Sequence, residues 1–558
     1  MSHLELVFLP LGGSGEIGMN LNLYGLGPLN GPDNERKWLM IDCGVMFGDL
    51  RTPGIDIICP DISYIEEYRD NLLGLVLTHG HEDHLGAAAL LVPYLQCPIY
   101  ATPFTAALLR RKFEERGEDI SALTIIEMGS HLKLGPFELE LITLTHSIPE
   151  PSGVLITTPL GRVLHTGDWK IDKAPTLGPK VDQNRLREIG DEGLLAMVCD
   201  STNVFSPGDS GSESTVRENL KTVIARQKGR VAVTTFASNV ARLVSVCQAA
   251  IVTDRSVCLL GRSMLKITDA AREANILPEG LNFISPEEAG FFPRDKVLYL
   301  CTGSQGEPRA ALARIARDAH RDLILSRGDT VIFSSKIIPG NEREIFALQN
   351  EIVNMGVNII TEKDEDIHVS GHPCRDELKQ MYDWARPQIA IPVHGEARHL
   401  EEHTNLALTL GAKQAISPRN GDVIRLAPDT AKKIEEVPNG RLYLDGDRLM
   451  PAGARPIKER HKLGWAGICQ VSLVFAENST LATKPQISIF GIPHSDDDIS
   501  VLEELESEIT EHIRDLAPRS RLDDDAVQLA IKRAIRDVMD DMWGKRPIIQ
   551  TQIHRIKS

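Results

Sequence analysis

The segment Leu72-Leu-Gly-Leu-Val-Leu-Thr-His79-Gly-His81-Glu-Asp83-His84 places four candidate metal ligands, three histidines and one aspartate, within six positions, directly after an apolar run. The run Leu72–Leu77 predicts a strand, and polar residues displayed at strand ends are typical of α/β sites. Imidazole nitrogen and carboxylate oxygen suit Zn²⁺, and Mn²⁺ accepts the same ligands. A lone histidine is more often structural, but that explanation does not account for four candidate ligands together. The segment therefore predicts a metal site.

Three later residues recur in the same context, each after an apolar strand: His146 in Leu144-Thr-His146-Ser, Asp168 in His165-Thr-Gly-Asp168, and His394 in Ile391-Pro-Val-His394-Gly-Glu396. Taken singly, each has an equally good structural explanation. Together with the first segment they complete two coordination spheres. We expect one ion on His79, His81 and His146, a second on Asp83, His84 and His394, and Asp168 as the bridge. Paired ions of this kind activate water and stabilise an in-line displacement at phosphorus.

Composition limits the class of protein. The chain has 558 residues and a net charge of −17, which disfavours a broad basic surface for nucleic acid but leaves room for a local channel. Nine scattered cysteines without a Cys-x-x-Cys pair argue against a thiolate metal site. Neither a signal peptide nor an apolar run of the roughly 18 residues that span a bilayer is evident. We expect a cytoplasmic protein without a membrane partner.

The pattern of strands and helices predicts several domains. An α/β domain covers residues 1–206 and returns at 374–449, and residues 207–373 alternate regularly between strand and helix, as a parallel sheet requires. A basic connector, Arg455–Lys462, lies in a linker at 450–464. Residues 465–558 predict a small α/β domain of two strands and two helices, with apolar stripes that indicate core or a dimer interface.

The ligand pattern resembles the metallo-β-lactamase superfamily. Asp200, His372 and His394 look like later motifs of its β-CASP nucleases, and ordered segments resemble the bacterial ribonuclease J family. These segments are Leu11–Asn20, Thr235–Asn239, Thr302–Pro308, Phe333–Glu342 and Pro392–Glu396. The resemblance covers nearly the whole chain. It implies an αββα sandwich with an inserted β-CASP parallel α/β domain and a small C-terminal α/β domain.

The same resemblance implies a phosphate pocket for an RNA 5′ end, formed by Ser238, Asn239, His368, Val369, Ser370, Gly371 and His372. A polar loop between domains is the alternative for this region. His372 would be catalytic beside Asp83 and Asp168, by stabilising the scissile phosphate or protonating the leaving oxygen. Asp200 would orient a metal-binding histidine, unless it only caps a turn.

Each of two further motifs can be interpreted in two ways. The loop Gly12–Gly18 is better explained as a tight turn that supports the site than as a nucleotide-binding loop, because no convincing helix follows it. Asp445 and Asp447 predict either a structural Ca²⁺ or Mg²⁺ site or a simple turn.

Together with the ligand set, the resemblance implies a zinc-dependent ribonuclease with two Zn²⁺ per chain. It would degrade single-stranded RNA from a 5′-monophosphate end in the 5′-to-3′ direction, with some internal cleavage, in RNA decay and maturation. A hydrolase of small esters or lactams and a scaffold for RNA-decay proteins are the alternatives. The apolar stripes of the C-terminal domain fit a homodimer or homotetramer.

Overall fold

The computed structural model describes residues 3–321, 323–493 and 499–556. The chain divides into two compact units, one formed by Met1–Met46 with Ile57–Leu442 and the other by Phe47–Asp56 with Tyr443–Ser558. Within the described ranges, no helix is both long enough and apolar enough to cross a bilayer.

Two facing sheets form the base of the first unit. The first sheet has eight strands, in the spatial order Lys432–Glu436, Asp422–Ala427, Leu4–Gly12, Leu21–Pro28, Lys37–Ile41, Leu72–Val76, Ile99–Ala101 and Leu123–Ile125. The second has seven, in the order His131–Leu134, Phe137–Thr143, Ser152–Thr158, Gly161–His165, Leu194–Asp200, Pro387–Val393 and Gln414–Ala415. Apolar side chains from both sheets, such as Phe8 and Val154, form one buried core between them.

Helices cover the outer faces of both sheets. Those that precede the inserted segment are Ser63–Glu67, Glu82–Leu85, Ala88–Leu95, Pro103–Arg116 and Gln183–Asp191, and those that follow it are Arg375–Ala385 and Ala397–Thr409. A second core lies between the seven-stranded sheet and its helices and includes Trp169, Leu186 and Tyr382. The layers are therefore helix, sheet, sheet and helix, as predicted.

The inserted segment builds a sheet of its own. Its five parallel strands are Ser256–Leu260, Val297–Cys301, Val231–Thr234, Thr330–Phe333 and Asn358–Ile360, in that spatial order. Its helices are Glu213–Ala225, Val240–Val252, Arg262–Glu273, Pro286–Ala289, Ala311–Ala316 and Glu342–Asn354. The chain leaves the sandwich after Leu194–Asp200 and returns in Pro387–Val393, which pairs parallel with that strand. The predicted fold class is confirmed.

The second unit contains a small three-stranded sheet. Ile468–Phe475 lies between Gln486–Phe490 and Ile548–Arg555, and the helices Ile499–Asp515 and Asp524–Met542 bury the predicted apolar stripes against it. The last strand was missed because Ile548–Arg555 alternates apolar and polar residues only weakly. The basic connector Arg455–Lys462 forms the start of the helix Arg455–Ala466, in which Pro456 occupies a favourable first-turn position.

The remaining elements are short. The strands are Ser14–Gly15, Met46–Phe47, Ile57–Pro60, Gly395–Glu396, Arg441–Asp445 and Arg448–Pro451, and the 3₁₀ turns are Asp33–Glu35, Arg69–Asn71, Arg294–Lys296 and Ser520–Leu522.

Candidate metal centre

Four ligand atoms converge at the ends of the sandwich strands to form what we call the first cluster: His79, His81, His146 and Asp168. The Nδ1 atom of His81 lies 3.1 Å from His79 Nε2 and 3.0 Å from His146 Nε2. Asp168 Oδ2 lies 3.9 Å from His79 Nε2 and 3.7 Å from His146 Nε2. Ligands about 2.0–2.2 Å from a tetrahedral Zn²⁺ lie about 3.3–3.6 Å apart. The set therefore fits one ion.

The second cluster consists of Asp83, His84, Asp168 and His394. His84 Nε2 lies 3.2 Å from Asp168 Oδ2 and 3.7 Å from Asp83 Oδ2, and His394 Nε2 lies 3.1 Å from Asp83 Oδ2. These distances again match the spacing of ligands around a single divalent cation. The structure thus brings together all seven residues that the sequence nominated, in the two predicted groups.

Asp168 joins the two clusters through one atom, because Oδ2 is close to nitrogens of both. Its other oxygen, Oδ1, is buried and has no hydrogen-bond partner among the described residues. A buried carboxylate oxygen without a partner is costly unless a cation compensates it. The donor set and this oxygen both fit divalent metal.

The backbone around the clusters is closely packed. Leu72–Val76 ends just before His79, and Asp83 and His84 lie in the short helix Glu82–Leu85. A Cβ at Gly44 would lie 1.7 Å from the Asp83 carbonyl oxygen, so only glycine permits this approach. The predicted supporting turn Gly12–Gly18 also reaches the centre, because the His394 amide donates to the Gly13 carbonyl at 2.7 Å.

Each candidate histidine ligand has an outer partner, the group hydrogen-bonded to the ring nitrogen that faces away from its cluster. His84 Nδ1 donates to Asp42 at 2.7 Å, His79 Nδ1 to Thr78 Oγ1 at 3.0 Å, and His394 Nδ1 to Thr202 Oγ1 at 2.8 Å. Such contacts fix the tautomer and raise the basicity of the other nitrogen. Sequence reasoning missed Asp42, Thr78 and Thr202. Asp42 carried the same signal as the ligands, because it follows the strand Lys37–Ile41.

The outer partners of the other two histidines come from the inserted segment. His81 Nε2 faces Ser238 Oγ at 3.1 Å, and His146 Nδ1 donates to the Gly371 carbonyl at 2.6 Å. Ser238 and Gly371 were predicted to bind phosphate. The structure places each of them directly against a member of the first cluster.

Electrostatics differ between the clusters. In the first, burial and then neighbouring imidazoles lower the pKa of His79 and His146. Burial also lowers the pKa of His81 to about 4, although Asp83 and Asp168 act in the opposite direction. All three rings are therefore neutral at pH 7, the form that binds metal.

In the second cluster carboxylates dominate. Burial opposes charge on His394, but Asp168 and then hydrogen bonds to Asp200 and Asp83 raise its pKa to about 10. Burial is likewise outweighed at His84, whose pKa is raised by Asp168 and Asp42. Burial raises and the surrounding histidines lower the pKa of Asp83 and Asp168, with a net lowering at both. This field attracts positive charge, whether carried by protons or by a divalent ion.

His372 lies beside both clusters without belonging to either predicted set. Its Nδ1 donates to Asp200 Oδ2 at 2.8 Å and lies 3.8 Å from Asp168 Oδ2. Burial disfavours its charged form, but Asp200 and then Asp168 raise its pKa. Asp200 Oδ1 is 3.6 Å from His394 Nδ1, so its closest histidine is His372 rather than a metal-cluster ligand.

The other nominated residues take different positions. Ser370 Oγ accepts from the His372 amide at 3.2 Å and from Asn203 Nδ2 at 2.8 Å, whereas Asn239 is buried, caps the helix Val240–Val252 and donates to Glu213. His368 Nδ1 is buried without a partner among the described residues, and burial followed by Arg242 lowers its pKa to about 3. Val369 packs against Gly211, where a Cβ would lie 2.8 Å from Val369 Cγ1.

Asp445 forms an ion pair with Arg460 at 2.5 Å, which gives this carboxylate a partner without any cation. Gly446 follows it with a positive φ of 60°, the backbone conformation of a turn.

Comparison with known proteins agrees with this geometry. Four family descriptions match successive segments: the metallo-β-lactamase superfamily at residues 33–198, the ribonuclease J β-CASP domain at 228–352, the Zn-dependent metallo-hydrolase RNA specificity domain at 340–418, and the ribonuclease J C-terminal domain at 456–556. The chain is 46% identical to ribonuclease J of Sinorhizobium meliloti over 555 residues, which is 99% of this chain and 98% of that protein. The chain belongs to the ribonuclease J family.

Other relatives extend the family match. Identity is 36% with ribonuclease J 1 of Streptococcus pyogenes, over 98% of this chain and 97% of that protein. It is 35% with ribonuclease J of Corynebacterium glutamicum, over 97% of this chain and 75% of that protein. A crystal structure of an Enterococcus faecalis protein of unknown function aligns with 75% of this chain and all of its own, at 14% identity and a TM-score of 0.51, which shows a shared fold.

Membership of the ribonuclease J family makes this protein a ribonuclease J-type hydrolase that binds RNA and divalent metal. The two clusters are candidate metal-binding groups, and a third group that could hold an ion, Asp168 with Asp200, His372 and His394, overlaps the second.

Proposed function

We propose that this protein degrades single-stranded RNA in the 5′-to-3′ direction from a 5′-monophosphate end, with some endonucleolytic cleavage, using two Zn²⁺ per chain. The observation that carries the proposal is the contact between the predicted phosphate loop and the metal centre: the Gly371 carbonyl accepts from His146 at 2.6 Å. The ions would be held by the first and second clusters and would supply Lewis acidity and an activated water.

The protein's own groups account for the rest of the reaction. Asp83 belongs to the second cluster, and Asp168 belongs to both clusters and so joins them. Asp200 and Asp168 raise the pKa of His372, which favours its protonated form, and Asp200 orients the ring from Nδ1. His372 can therefore stabilise the scissile phosphate or donate a proton to the leaving 3′-oxygen.

The position of the loop supports cleavage near an RNA end. His368 and His372 are four residues apart, so an extended chain separates them by at most about 14 Å. A terminal phosphate held by the backbone and side chains of residues 368–370 would lie a short distance from the reacting phosphate. That spacing suits release of short products from one end.

The test compares single-stranded RNAs of one sequence that carry a 5′-monophosphate, a 5′-triphosphate or a 5′-hydroxyl. We expect the monophosphate RNA to be degraded fastest, with nucleoside 5′-monophosphates as products. Equal rates for the three RNAs would contradict recognition of the 5′ end.

A pair of variants sharpens this comparison. His368→Ala should reduce the preference for the monophosphate end, because it removes an imidazole from the loop. His131→Ala is the matched control, because His131 is an exposed histidine at the edge of the sandwich. An unchanged preference in His368→Ala would remove this residue from the pocket.

Two other roles give different results in the same assays. A scaffold protein would bind zinc and RNA but would not cleave the RNA. An ester or lactam hydrolase would turn over a chromogenic lactam and leave the RNA intact. The presence of both clusters and of His372 in one site favours RNA cleavage.

We also propose a cytoplasmic location and self-association through the C-terminal domain as a homodimer or homotetramer, on which other RNA-decay proteins could assemble. Trp465 and Phe490 are each 63% exposed in the second unit, a surface that suits an interface. Light scattering on the full chain and on Trp465→Ser with Phe490→Ser tests this, and an unchanged mass would contradict it.

A further inference from the structure

The two clusters differ in where their outer partners originate. Asp42, Thr78 and Thr202 belong to the sandwich, and Asp42 and Thr202 support the two histidines of the second cluster. In the first cluster, by contrast, His81 faces Ser238 and His146 donates to Gly371. Ser238 precedes the inserted helix Val240–Val252, and Gly371 lies beyond the inserted strand Asn358–Ile360.

We propose that the inserted segment sets the affinity of the first metal site through Ser238 and the Gly371 carbonyl, whereas the outer hydrogen bonds of the second site come from the sandwich. The inference rests on the proposed pair of ions. A hydrogen bond to the outer nitrogen fixes the tautomer and makes the inner nitrogen a better ligand, and loss of such a contact costs about 10–100-fold in metal affinity. Ser238 and Gly371 are thus positioning groups for the first site.

A buried ion pair fixes both positioning groups. Arg242 is fully buried, and its guanidinium donates to Glu213 at 2.9 and 3.0 Å. The same guanidinium donates to the Ser334 carbonyl at 2.9 Å and to the Ile367 carbonyl at 3.2 Å. Ile367 begins the stretch that leads to Gly371, so the pair holds the loop from its start.

The same pair controls the segment that carries Ser238. The Arg242 amide donates to Asn239 Oδ1 at 2.9 Å, and Asn239 Nδ2 donates to Glu213 at 3.2 Å. Since Asn239 follows Ser238 directly, this cap fixes the direction in which the serine leaves the helix. One ion pair therefore orients both contacts to the first cluster.

This network also reaches the loop of the bridging carboxylate. The Glu213 amide donates to Asp172 Oδ2 at 2.9 Å, and the same oxygen lies 3.3 Å from the buried Lys170 ammonium. Lys170 is two residues from Asp168. A displacement of the inserted segment would therefore reach the first cluster at His81 and at His146, whereas the Asp168 loop would transmit it to the residue that both clusters share.

The experiment measures Zn²⁺ binding by metal-free full-length protein in competition with a chromophoric chelator, without any activity readout. Wild type should bind two ions. In Ser238→Ala we expect one of the two dissociation constants to rise by about tenfold or more while the other is unchanged. Ser238→Thr, which keeps the hydroxyl, should restore wild-type binding.

Thr202→Ala is the matched control, because it removes the outer hydroxyl of His394 in the second cluster. It should weaken the other ion, so that the double variant loses affinity at both sites additively. Unchanged binding in Ser238→Ala, or weakening of one and the same ion by both single variants, would overturn the inference. Wild type that binds fewer than two Zn²⁺ would instead contradict the proposed pair of ions. Circular dichroism confirms that each variant is folded.

Discussion

The first and second clusters share Asp168 but differ in ligand chemistry and in support. The first has three imidazoles kept neutral by burial, and two of them receive their outer hydrogen bonds from the inserted segment. The second contains Asp83 as well as Asp168, and the outer hydrogen bonds of its two histidines come from the sandwich. The second cluster therefore takes its outer hydrogen bonds from the sandwich. Those of the first cluster are complete only when the inserted segment is in place.

This difference predicts how each metal site responds when the inserted segment is displaced. Carboxylates attract a cation over several ångströms, whereas neutral imidazoles depend on orientation. We therefore expect the second site to keep its ion when the inserted segment is disturbed and the first site to release its ion.

The largest effect should come from the residue that the clusters share. Asp168→Asn removes the bridging charge, so both ions should bind weakly and kcat/KM on 5′-monophosphate RNA should fall by about 10³-fold or more. The number of Zn²⁺ ions bound per chain is measured after gel filtration, in parallel with the kinetic assay. Asp191→Asn, at an exposed carboxylate paired with Arg386, is the control and should behave as wild type. Two tightly bound Zn²⁺ in Asp168→Asn would rule out the bridge.

The second-largest effect is expected from a methyl group added at Gly371, which should weaken one metal site and not the other. A Cβ at Gly371 would lie 2.5 Å from Ser147 Oγ and 2.9 Å from His146 Cε1, so Gly371→Ala should displace the His146 ring. We expect about 10–100-fold weaker binding of the first ion and little change at the second. Gly464→Ala, where a Cβ meets no atom within 4 Å, provides the comparison. Equal weakening of both ions would show that the clusters are not independent.

The opposite selectivity is expected of Asp42→Asn. The amide keeps the size of the side chain but not the charge that supports His84, and asparagine tolerates the positive φ of 63° at this position. The second ion should bind about tenfold more weakly, with a smaller loss at the first, because Asp42 also accepts from Thr78 Oγ1, the outer partner of His79. Competition with the same chelator measures this, and a selective loss of the first ion would refute the assignment of outer partners.

The smallest effect concerns the surface contacts between the sandwich and the inserted segment. Glu273 pairs with Arg110 and with Arg111, the latter at 2.8 Å, and all three side chains are at least a quarter exposed. Exposed pairs contribute about 0–1 kcal/mol and are screened by salt. Glu273→Gln should weaken the first ion by no more than about threefold, and the difference from wild type should vanish in about 1 M NaCl. A large effect that persists in salt would point to a structural defect.

Much of this centre could be predicted from sequence, because its ligands follow a simple rule. Each of His79, His146, Asp168 and His394 comes shortly after an apolar strand, and these strand ends, from both sheets, meet at one edge of the sandwich. The same rule would have found Asp42. Strand positions were also accurate where apolar runs were continuous, as in Val297–Cys301.

The contacts of Ser238 and Gly371 could not be predicted in the same way. Both residues were recognised as part of the site. Their hydrogen bonds to His81 and His146, however, depend on how the inserted segment packs against the sandwich. Asn239 shows the same limit, because its side chain was assigned to phosphate and instead caps a helix within the ion-pair network. Local pattern does not specify such tertiary contacts.

The separation of 311 residues between Asp83 and His394 has a consequence during translation. A growing chain exposes His79, His81, His146 and Asp168 long before the ribosome has synthesised the residues that orient them. The last ligand emerges only after about seven tenths of the chain is made, and Asp422–Ala427, which lies beside Leu4–Gly12 in the first sheet, follows later still. A polypeptide that has not yet reached His394 therefore lacks a complete centre.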